Sequence, residues 1–144
     1  SRFDKFNIKV IENIDDIEIL SYQNELFQVI LNLFSNSIDV LSSSQIENKI
    51  IYIKIYHDEN NLYIEFLDNG GGIKDEFINR VFEPYFTTKH KSQGTGIGLY
   101  MSLQIVTKHL NGEISVKNDT FIENNTAYFG AKFTILLPIN LQKN

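Results

Sequence analysis

The chain has 144 residues, of which 42% are hydrophobic and 22% charged, and its formal net charge at pH 7 is -5. This size and composition predict a single globular domain, and they exclude a disordered tail. The acidic balance argues against a general electrostatic hold on nucleic acid, and the lack of cysteine excludes disulfides and thiolate metal sites. The lack of cysteine favours a cytoplasmic domain, and no apolar run approaches the roughly 20 residues that span a bilayer. Because the chain begins at Ser1, we interpret residues 1–144 as part of a longer protein that could itself be membrane-anchored.

The first half of the chain predicts strands on either side of a long helix. Apolar residues alternate over residues 6–12, which is the period of a strand, and residues 17–20 are a second, shorter candidate. Over residues 23–41 the apolar positions keep the spacing of an amphipathic helix. Residues 50–57 and 62–67 alternate again around turn-forming residues, so we expect a β-hairpin there.

The second half predicts two helices, an irregular segment and two more strands. A short helix is expected at residues 75–81 and a longer one at residues 97–110, which Asn111 and Gly112 would end. Strands are expected at residues 113–118 and 127–137. Because strands follow one another while helices are few and long, we predict an α/β two-layer sandwich, with a mixed, mainly antiparallel sheet covered by helices on one face.

A line of amides runs along the long helix. Gln28, Asn32 and Asn36 are spaced by four residues and therefore share one face. Burying an unpartnered amide costs on the order of 1–3 kcal/mol, so the line indicates either a solvated face or a ligand. Mg²⁺ is a suitable ligand because it prefers hard oxygen donors and relies on substrate phosphates.

Two glycine-rich stretches are further candidates for ligand contact. In the first, Asp68 ends a predicted strand and is followed by Asn69 and three glycines. This pattern is typical of a capped glycine turn, or of a backbone close to a ligand, where a carboxylate can accept a hydrogen bond from the amine of adenine. The second stretch starts a predicted helix, where free N–H groups favour an anion, and it reads Gly94-Thr95-Gly96-Ile97-Gly98-Leu99. It is neither a P-loop nor a dinucleotide fingerprint, because no Gly-Lys-Ser/Thr follows and Leu99 replaces the last glycine.

Aromatic, hydroxyl and basic residues lie between the two glycine-rich stretches, in the run Val81-Phe82-Glu83-Pro84-Tyr85-Phe86-Thr87-Thr88-Lys89. The run indicates either a plain loop or the hinge of a mobile lid. The chain's one local concentration of positive charge, Lys89-His90-Lys91, follows it directly.

Four features of the sequence resemble, in this order and spacing, the N box, first glycine box, F box and second glycine box of sensor histidine kinase catalytic domains. They are the line of amides, the first glycine-rich stretch, the aromatic run and the second glycine-rich stretch. The resemblance covers about residues 6–138. It implies the ATP-binding fold that these kinases share with type II topoisomerases, a heat-shock chaperone and mismatch-repair ATPases, with an ATP lid over residues 83–93. It also implies ATP and Mg²⁺ as cofactors, and transfer of the γ-phosphoryl group of ATP to a histidine.

The resemblance assigns roles to matching residues. Asn36 would bind Mg²⁺, Asn32 would assist at the phosphates, and Asp68 would read the adenine amine, while Thr134 would contact adenine through water. The full set of residues that would bind ATP is Asn32, Asn36, Asp68, Gly70, Gly72, Ile73, Arg80, Thr87, Lys89, Gly94, Thr95, Gly96, Ile97, Gly98, Leu99 and Thr134.

Two departures from the family pattern affect the expected catalytic residues, Gln28 and Asn32. Many relatives carry Glu at the position of Gln28, where it can act as a base, and an amide cannot do so. Several relatives place Lys or Arg shortly after the second asparagine, whereas this chain has Asp39. We therefore assign the charge that faces the phosphates to Lys89 and Arg80.

The phosphoacceptor is expected on another domain. None of His57, His90 and His109 lies on a predicted helix with an acid directly after it and a proline a few residues later. The expected partner is a histidine-bearing helical dimerisation domain of the same full-length protein, which would pass the phosphoryl group to a response regulator. Two alternatives stay open: an anti-sigma-type serine kinase, and a non-catalytic nucleotide-binding module that regulates a partner.

Overall fold

The computed structural model describes residues 7–16, 23–87 and 96–139. In chain order the elements are β1 (Ile8–Ile14), α1 (Gln23–Ser42), β2 (Lys49–His57), β3 (Asn61–Asp68), α2 (Asp75–Ile78), α3 (Gly98–Gln104), a π-helical turn (Ile105–His109), β4 (Glu113–Glu123) and β5 (Thr126–Pro138). The five strands form one sheet in the order β1-β2-β3-β5-β4. β1 is parallel to β2 and the other neighbours are antiparallel, which confirms the predicted mixed, mainly antiparallel sheet.

The long helix and the first hairpin agree with the prediction, while several other boundaries differ. α2 ends at Ile78, before the expected end of that helix. The helix expected at residues 97–110 continues from α3 into the π-helical turn, which the Gly112 N–H closes by donating to the Val106 carbonyl at 2.8 Å. The strand candidate at residues 17–20 lies outside the described residues.

One hydrophobic core lies between the sheet and the helices. α1 turns a face with a four-residue repeat toward the sheet, and Val29, Leu33 and Leu41 on that face are fully buried. The sheet supplies fully or almost fully buried side chains from its three central strands: Ile51, Ile64, Phe66, Phe133 and Ile135. Each such side chain contributes about 1.5–3 kcal/mol by leaving water.

The opposite face of the sheet carries polar and aromatic side chains that contact one another. The Tyr56 hydroxyl donates to the Glu65 carboxylate at 2.6 Å, and Lys132 forms an ion pair with Asp119 at 3.2 Å. Burial, together with the hydrogen bond to Glu65, raises the pKa of Tyr56 to about 12. Across the described ranges, no helix is long and apolar enough to cross a membrane.

The β4–β5 hairpin is longer than expected and projects beyond β3. Pairing between β3 and β5 stops at Leu67 and Lys132, yet β5 continues to pair with β4 over residues 126–131. Asn124 and Asn125, both at positive φ, form the tight turn that joins the strands. The projecting part passes over the end of β3 so closely that a Cβ at Gly130 would collide with the Asp68 carbonyl. The hairpin thus covers the glycine-rich loop that follows β3.

Candidate functional site

A cavity of about 280 Å³ opens between α1, the glycine-rich loop after β3 and the start of α3. This volume is close to the lower end of the range for small-molecule sites, about 300–1,000 Å³. Seven residues predicted to bind ATP line the cavity: Asn32, Asn36, Ile73, Thr87, Gly96, Gly98 and Leu99. Six further residues complete the described lining: Ser35, Asp39, Val40, Val81, Phe86 and Phe133. The structure therefore brings parts of all four sequence boxes to one cavity.

A chain of hydrogen bonds joins α1 to α3 at one end of the cavity. The Gln28 amide donates to Asn32 Oδ1 at 2.9 Å, and Asn32 Nδ2 donates to Ser102 Oγ at 3.1 Å and to the Gly98 carbonyl at 3.3 Å. Ser102 is fully buried, and its hydroxyl donates to the same Gly98 carbonyl at 2.9 Å. Because the chain reaches the first glycine of α3, it fixes the second glycine box relative to the N box.

This chain of hydrogen bonds determines which group is needed at position 28. The Gly98 carbonyl can only accept, so the NH₂ group of Asn32 must face it and the Asn32 oxygen must face Gln28. The residue at position 28 must therefore donate, which an amide does and an ionised carboxylate cannot. Gln28 orients Asn32.

Asn36 lies one turn beyond Asn32 on α1 and lines the cavity together with Ser35 and Asp39. These side chains offer hard oxygen atoms, which suit Mg²⁺. In the described part of the chain, no group of three or more His, Cys, Asp or Glu residues could hold a metal ion by itself. The donor set thus fits a cation that also takes ligands from phosphates and water.

Gly96 packs directly against the F box. Its φ is +74°, and a Cβ there would lie 2.5 Å from the Phe86 carbonyl oxygen. Its own carbonyl accepts a hydrogen bond from the Tyr85 N–H at 3.0 Å. Only glycine avoids both the strain and the collision, so Gly96 joins the F box to the second glycine box. Lys89, Gly94 and Thr95, which were predicted to contact phosphates, lie outside the described residues.

Asp68 is buried at the end of β3, with 2% of its surface exposed. Its carboxylate accepts hydrogen bonds from the Gly70 N–H, at 2.8 Å, and from the Ala131 N–H. Burial raises the pKa of Asp68, and these two hydrogen bonds oppose the rise. Asp68 itself is not among the residues that line the cavity. Val40, which does line it, lies against the neighbouring Gly70, where a Cβ would be 2.6 Å from Val40 Cγ1.

Two asparagines fix the loop that carries the first glycine box. Asn69 accepts from the Ile50 N–H at 2.8 Å and donates to the Asn48 carbonyl, which ties the start of the loop to β2. Asn118 on β4 accepts from the Ile73 N–H and donates to the Ile73 carbonyl, both at 2.8 Å, which ties its end to the hairpin. The sequence prediction missed Asn118, since nothing in the local pattern of a strand residue signals a bond to a loop 45 positions earlier.

Arg80 and Thr134 are not brought to the cavity. The Arg80 guanidinium stacks over the Phe86 ring at 4.5 Å, and Arg80 Nε lies 3.2 Å from a Glu83 carboxylate oxygen. Thr134 lies between two buried core residues of β5, so its side chain is on the opposite face of the sheet. Its neighbour Phe133 lines the cavity instead.

Comparison with known proteins identifies the family. Residues 21–141 match the model of the histidine kinase-, DNA gyrase B-, and HSP90-like ATPases. The chain belongs to this family. Its ATP-binding fold and its order of boxes are those of the histidine kinase catalytic domain, as the resemblance implied.

Relatives of the domain carry the names of sensor, sporulation and histidine-protein kinases. The chain is 35% identical over 115 residues to a probable C4-dicarboxylate sensor kinase of Halalkalibacterium halodurans, covering 80% of this chain and 20% of that protein. It is 37% identical over 114 residues to sporulation kinase A of Bacillus subtilis, covering 79% of this chain and 17% of that protein. For the histidine-protein kinase AtoS of Escherichia coli, the identity is 35% over 119 residues, covering 83% and 17%. The chain thus spans about a fifth or less of these relatives' length.

Solved structures of histidine kinases share the fold. The catalytic domain of ThkA superposes with a TM-score of 0.75 at 25% identity, covering 96% of this chain and 83% of that one. A mycobacterial sensor histidine kinase, MprB, gives a TM-score of 0.76 at 21% identity, covering 98% and 88%. Full-length ShkA, solved with AMPPNP, has the same fold at 17% identity and a TM-score of 0.75, covering 97% and 27%.

Proposed function

We propose that this ATPase domain binds ATP with Mg²⁺ and donates the γ-phosphoryl group to a histidine on a separate helical domain of the same full-length protein, in two-component signalling. The observation that carries the proposal is the cavity, lined by the amides of α1 and the glycines around the start of α3, in a chain similar to named sensor kinases. Because ATP is supplied in the cytoplasm, we place the domain there.

The described residues form two ends of the site, one that would bind the adenine base and one that would bind the phosphates. Asp68 would accept a hydrogen bond from the adenine amine, and Ile73 offers apolar surface for the base. Asn36 would provide an oxygen ligand to Mg²⁺, which supplies positive charge at the phosphates when bound. Asn32, oriented by Gln28, would donate to phosphate oxygens beside Gly98.

The cavity has few groups for acid–base chemistry. Among the described lining residues, Asp39 alone is ionisable. A neutral imidazole is itself a nucleophile, so the domain has to position the acceptor and offset charge, and it needs no base at position 28. The phosphates then require a cation from beyond the described lining, and Lys89 keeps that role as a prediction.

Apolar side chains exposed near Asn32 support docking of a helical acceptor. Phe27 and Leu31, one turn apart on α1, are 61% and 42% exposed, and Met101 on α3 is 44% exposed. Exposed clusters of large apolar residues mark interaction sites. Of the histidines in the described ranges, neither His57, at the end of β2, nor His109, in the π-helical turn, lines the cavity, which supports an acceptor on the partner. His90 lies outside the described residues.

Incubation with ATP labelled at the γ-phosphate tests the proposal. With the helical dimerisation domain added in trans, we expect an acid-labile, base-stable label on that domain and none on this one. The label should be weak at low acceptor concentration and rise with excess acceptor, because the tether that supplies up to millimolar effective concentration is absent. Strong label on this domain alone would contradict the proposal.

The same experiment separates the alternatives. An acid-stable label on a small serine-bearing partner would indicate the anti-sigma-type kinase, which the matched sensor kinases do not favour. ATP binding with no transfer to any acceptor would indicate the regulatory module. Leu31→Glu is a useful companion variant, because it should lower transfer to the helical domain while ATP affinity stays unchanged.

A further inference from the structure

Asn118 makes an unusual connection between the β4–β5 hairpin and the glycine-rich loop. Its amide oxygen accepts from the Ile73 N–H and its amide nitrogen donates to the Ile73 carbonyl, both at 2.8 Å. The side chain thus satisfies both backbone groups of a single residue, as a neighbouring strand would. Ile73 is held in place without belonging to the sheet.

The surroundings of Asn118 are shaped to this contact. A Cβ at Gly72 would lie 2.7 Å from Asn118 Oδ1 and 2.9 Å from the Phe129 ring, and φ at Gly72 is +83°. Glycine at position 72 therefore gives Asn118 and Phe129 access to the loop. The Gly71 N–H donates to the Phe129 carbonyl at 3.3 Å, which adds a second link from the same hairpin.

The position of Ile73 matters because it lines the cavity, while Asp68 begins the same loop. Asn69 ties the loop to β2 at one end, and Asn118 ties it to β4 at the other. With both ends fixed, the distance between the apolar surface of Ile73 and the carboxylate of Asp68 is fixed as well. A base that packs on one and donates to the other must match that spacing.

We propose that Asn118 is a positioning residue for base selection: it holds Ile73 at a fixed position relative to Asp68, on the wall of the cavity. This inference rests on the proposed function, in which Asp68 reads the adenine amine. Asn118 acts through Ile73 and does not touch the nucleotide. Its loss should weaken adenine recognition while the Mg²⁺-dependent contribution of the phosphates is unchanged.

Two substitutions at Asn118 and one control test the proposal. Asn118→Leu removes both hydrogen bonds, whereas the isosteric Asn118→Asp keeps an acceptor for the Ile73 N–H and places charge against the Ile73 carbonyl. Thr120→Ala is the control, because Thr120 is exposed and lies on the same strand and strand face two residues further on. If the leucine variant does not fold, the aspartate variant carries the test.

The measurement is the dissociation constant for ATP and for GTP, each with and without Mg²⁺, by calorimetric titration. We expect the Asn118 variants to bind ATP more weakly, by roughly two- to twelvefold for each ordinary hydrogen bond lost, and to show a smaller ATP-to-GTP preference. The Mg²⁺ enhancement should match the parent, and Thr120→Ala should match it throughout. A purely structural role would lower the melting temperature and leave the base preference intact, which would overturn the inference.

Asp68→Ala, measured in parallel, distinguishes a failure of the Asn118 inference from a failure of the adenine assignment to Asp68. If Asp68→Ala loses the preference for ATP and the Asn118 variants keep it, this inference fails and the proposed function stands. If Asp68→Ala also keeps the preference, the adenine assignment fails, and the inference fails with it.

Discussion

The two ends of the cavity are built in different ways. At the adenine end, amide side chains that pair with backbone fix the loop after β3 to the sheet: Asn69 of the loop bonds to β2, and Asn118 of β4 bonds to the loop. At the phosphate end, Gln28 and Asn32 join two helices through side chains, and Gly96 packs against the F box through backbone alone.

This difference indicates that the two ends of the cavity have separate roles, one in recognition of the base and one in binding the phosphates. Bonds to a sheet hold one geometry, which suits recognition of a rigid base. The Asn32 hydrogen bonds and the Gly96 contact join α1, the start of α3 and the F box instead, at the end expected to hold the charged phosphates. We therefore expect substitutions at the adenine end to change which base is bound, and those at the phosphate end to change the response to Mg²⁺ and the rate of transfer.

The largest effect is expected from Asp68→Ala. Loss of a hydrogen bond to a charged acceptor, about 1.5–3 kcal/mol, corresponds to roughly 10- to 150-fold weaker ATP binding. Titration with ATP and GTP measures it, and Asp75→Ala is the control, because Asp75 is an exposed carboxylate at the start of α2. Unchanged affinity, or no preference for ATP in the parent, would remove Asp68 from the site.

Gly96→Ala should have the next largest effect, and it should act at the phosphate end alone. The new methyl group would collide with the F-box backbone at a positive φ, a strain of about 1–3 kcal/mol. We expect a lower melting temperature and weaker ATP binding, with adenosine affinity retained. Gly71→Ala is a comparison at the other end, because Gly71 also has a positive φ but no atom within 4 Å of its Cβ position. Equal loss of adenosine affinity in Gly96→Ala would argue against separate ends.

Gln28→Glu gives a smaller effect whose sign is decisive. An ionised carboxylate cannot donate to Asn32 Oδ1, so one hydrogen bond is lost, about 0.5–1.5 kcal/mol, and phosphotransfer should fall roughly two- to twelvefold. Gln23→Glu, at the exposed start of the same helix, should have no effect. A rise in transfer rate for Gln28→Glu would show that position 28 serves as a base site, against the orienting role.

The smallest effect is a pH dependence specific to the adenine end. Burial raises the folded-state pKa of Asp68 above its ordinary value of 3.8, so the folded domain holds that proton more tightly than the unfolded chain. Its contribution to the free energy of unfolding is therefore present at low pH and is lost as pH rises from about 3.8 through the raised pKa. ATP affinity, which needs the ionised acceptor, should rise over the same window.

Asp68→Asn does not titrate, so it should remove both trends. Urea unfolding and ATP titration of parent and variant from about pH 4 to pH 7 measure them. Parallel curves for the two proteins would assign the pH dependence to other groups.

Much of the fold was predictable because it depends on local periodicity. The helix that carries Asn32 and the hairpin before Asp68 follow from spacing and turn residues alone. The β5 side of the β4–β5 hairpin was predicted closely, but β4 was expected to end at residue 118, because Asn118 and Asp119 resemble the end of a strand. How far the hairpin projects beyond β3 shows only in the register between β3 and β5, which is a tertiary property.

Residues of the candidate site were likewise predictable only where the signal is local in the sequence. Parts of all four sequence boxes line one cavity, although Asp68, Gly70 and Gly72 do not. Asn118 and Phe133 were missed, since each reaches the site from a strand far along the sequence. Thr134 was assigned from the family resemblance, and its side chain lies on the face of β5 opposite Phe133.

The central claim is that one nucleotide bridges two separately built ends, and Asn36→Ala tests it most directly. Calorimetric titration of parent and variant with adenosine, and with ATP in the presence and absence of Mg²⁺, gives the needed constants. The account predicts that the variant keeps the parent's affinity for adenosine while its Mg²⁺ enhancement of ATP binding falls toward one. An unchanged Mg²⁺ response in Asn36→Ala, or a parallel loss of adenosine binding, would contradict the account.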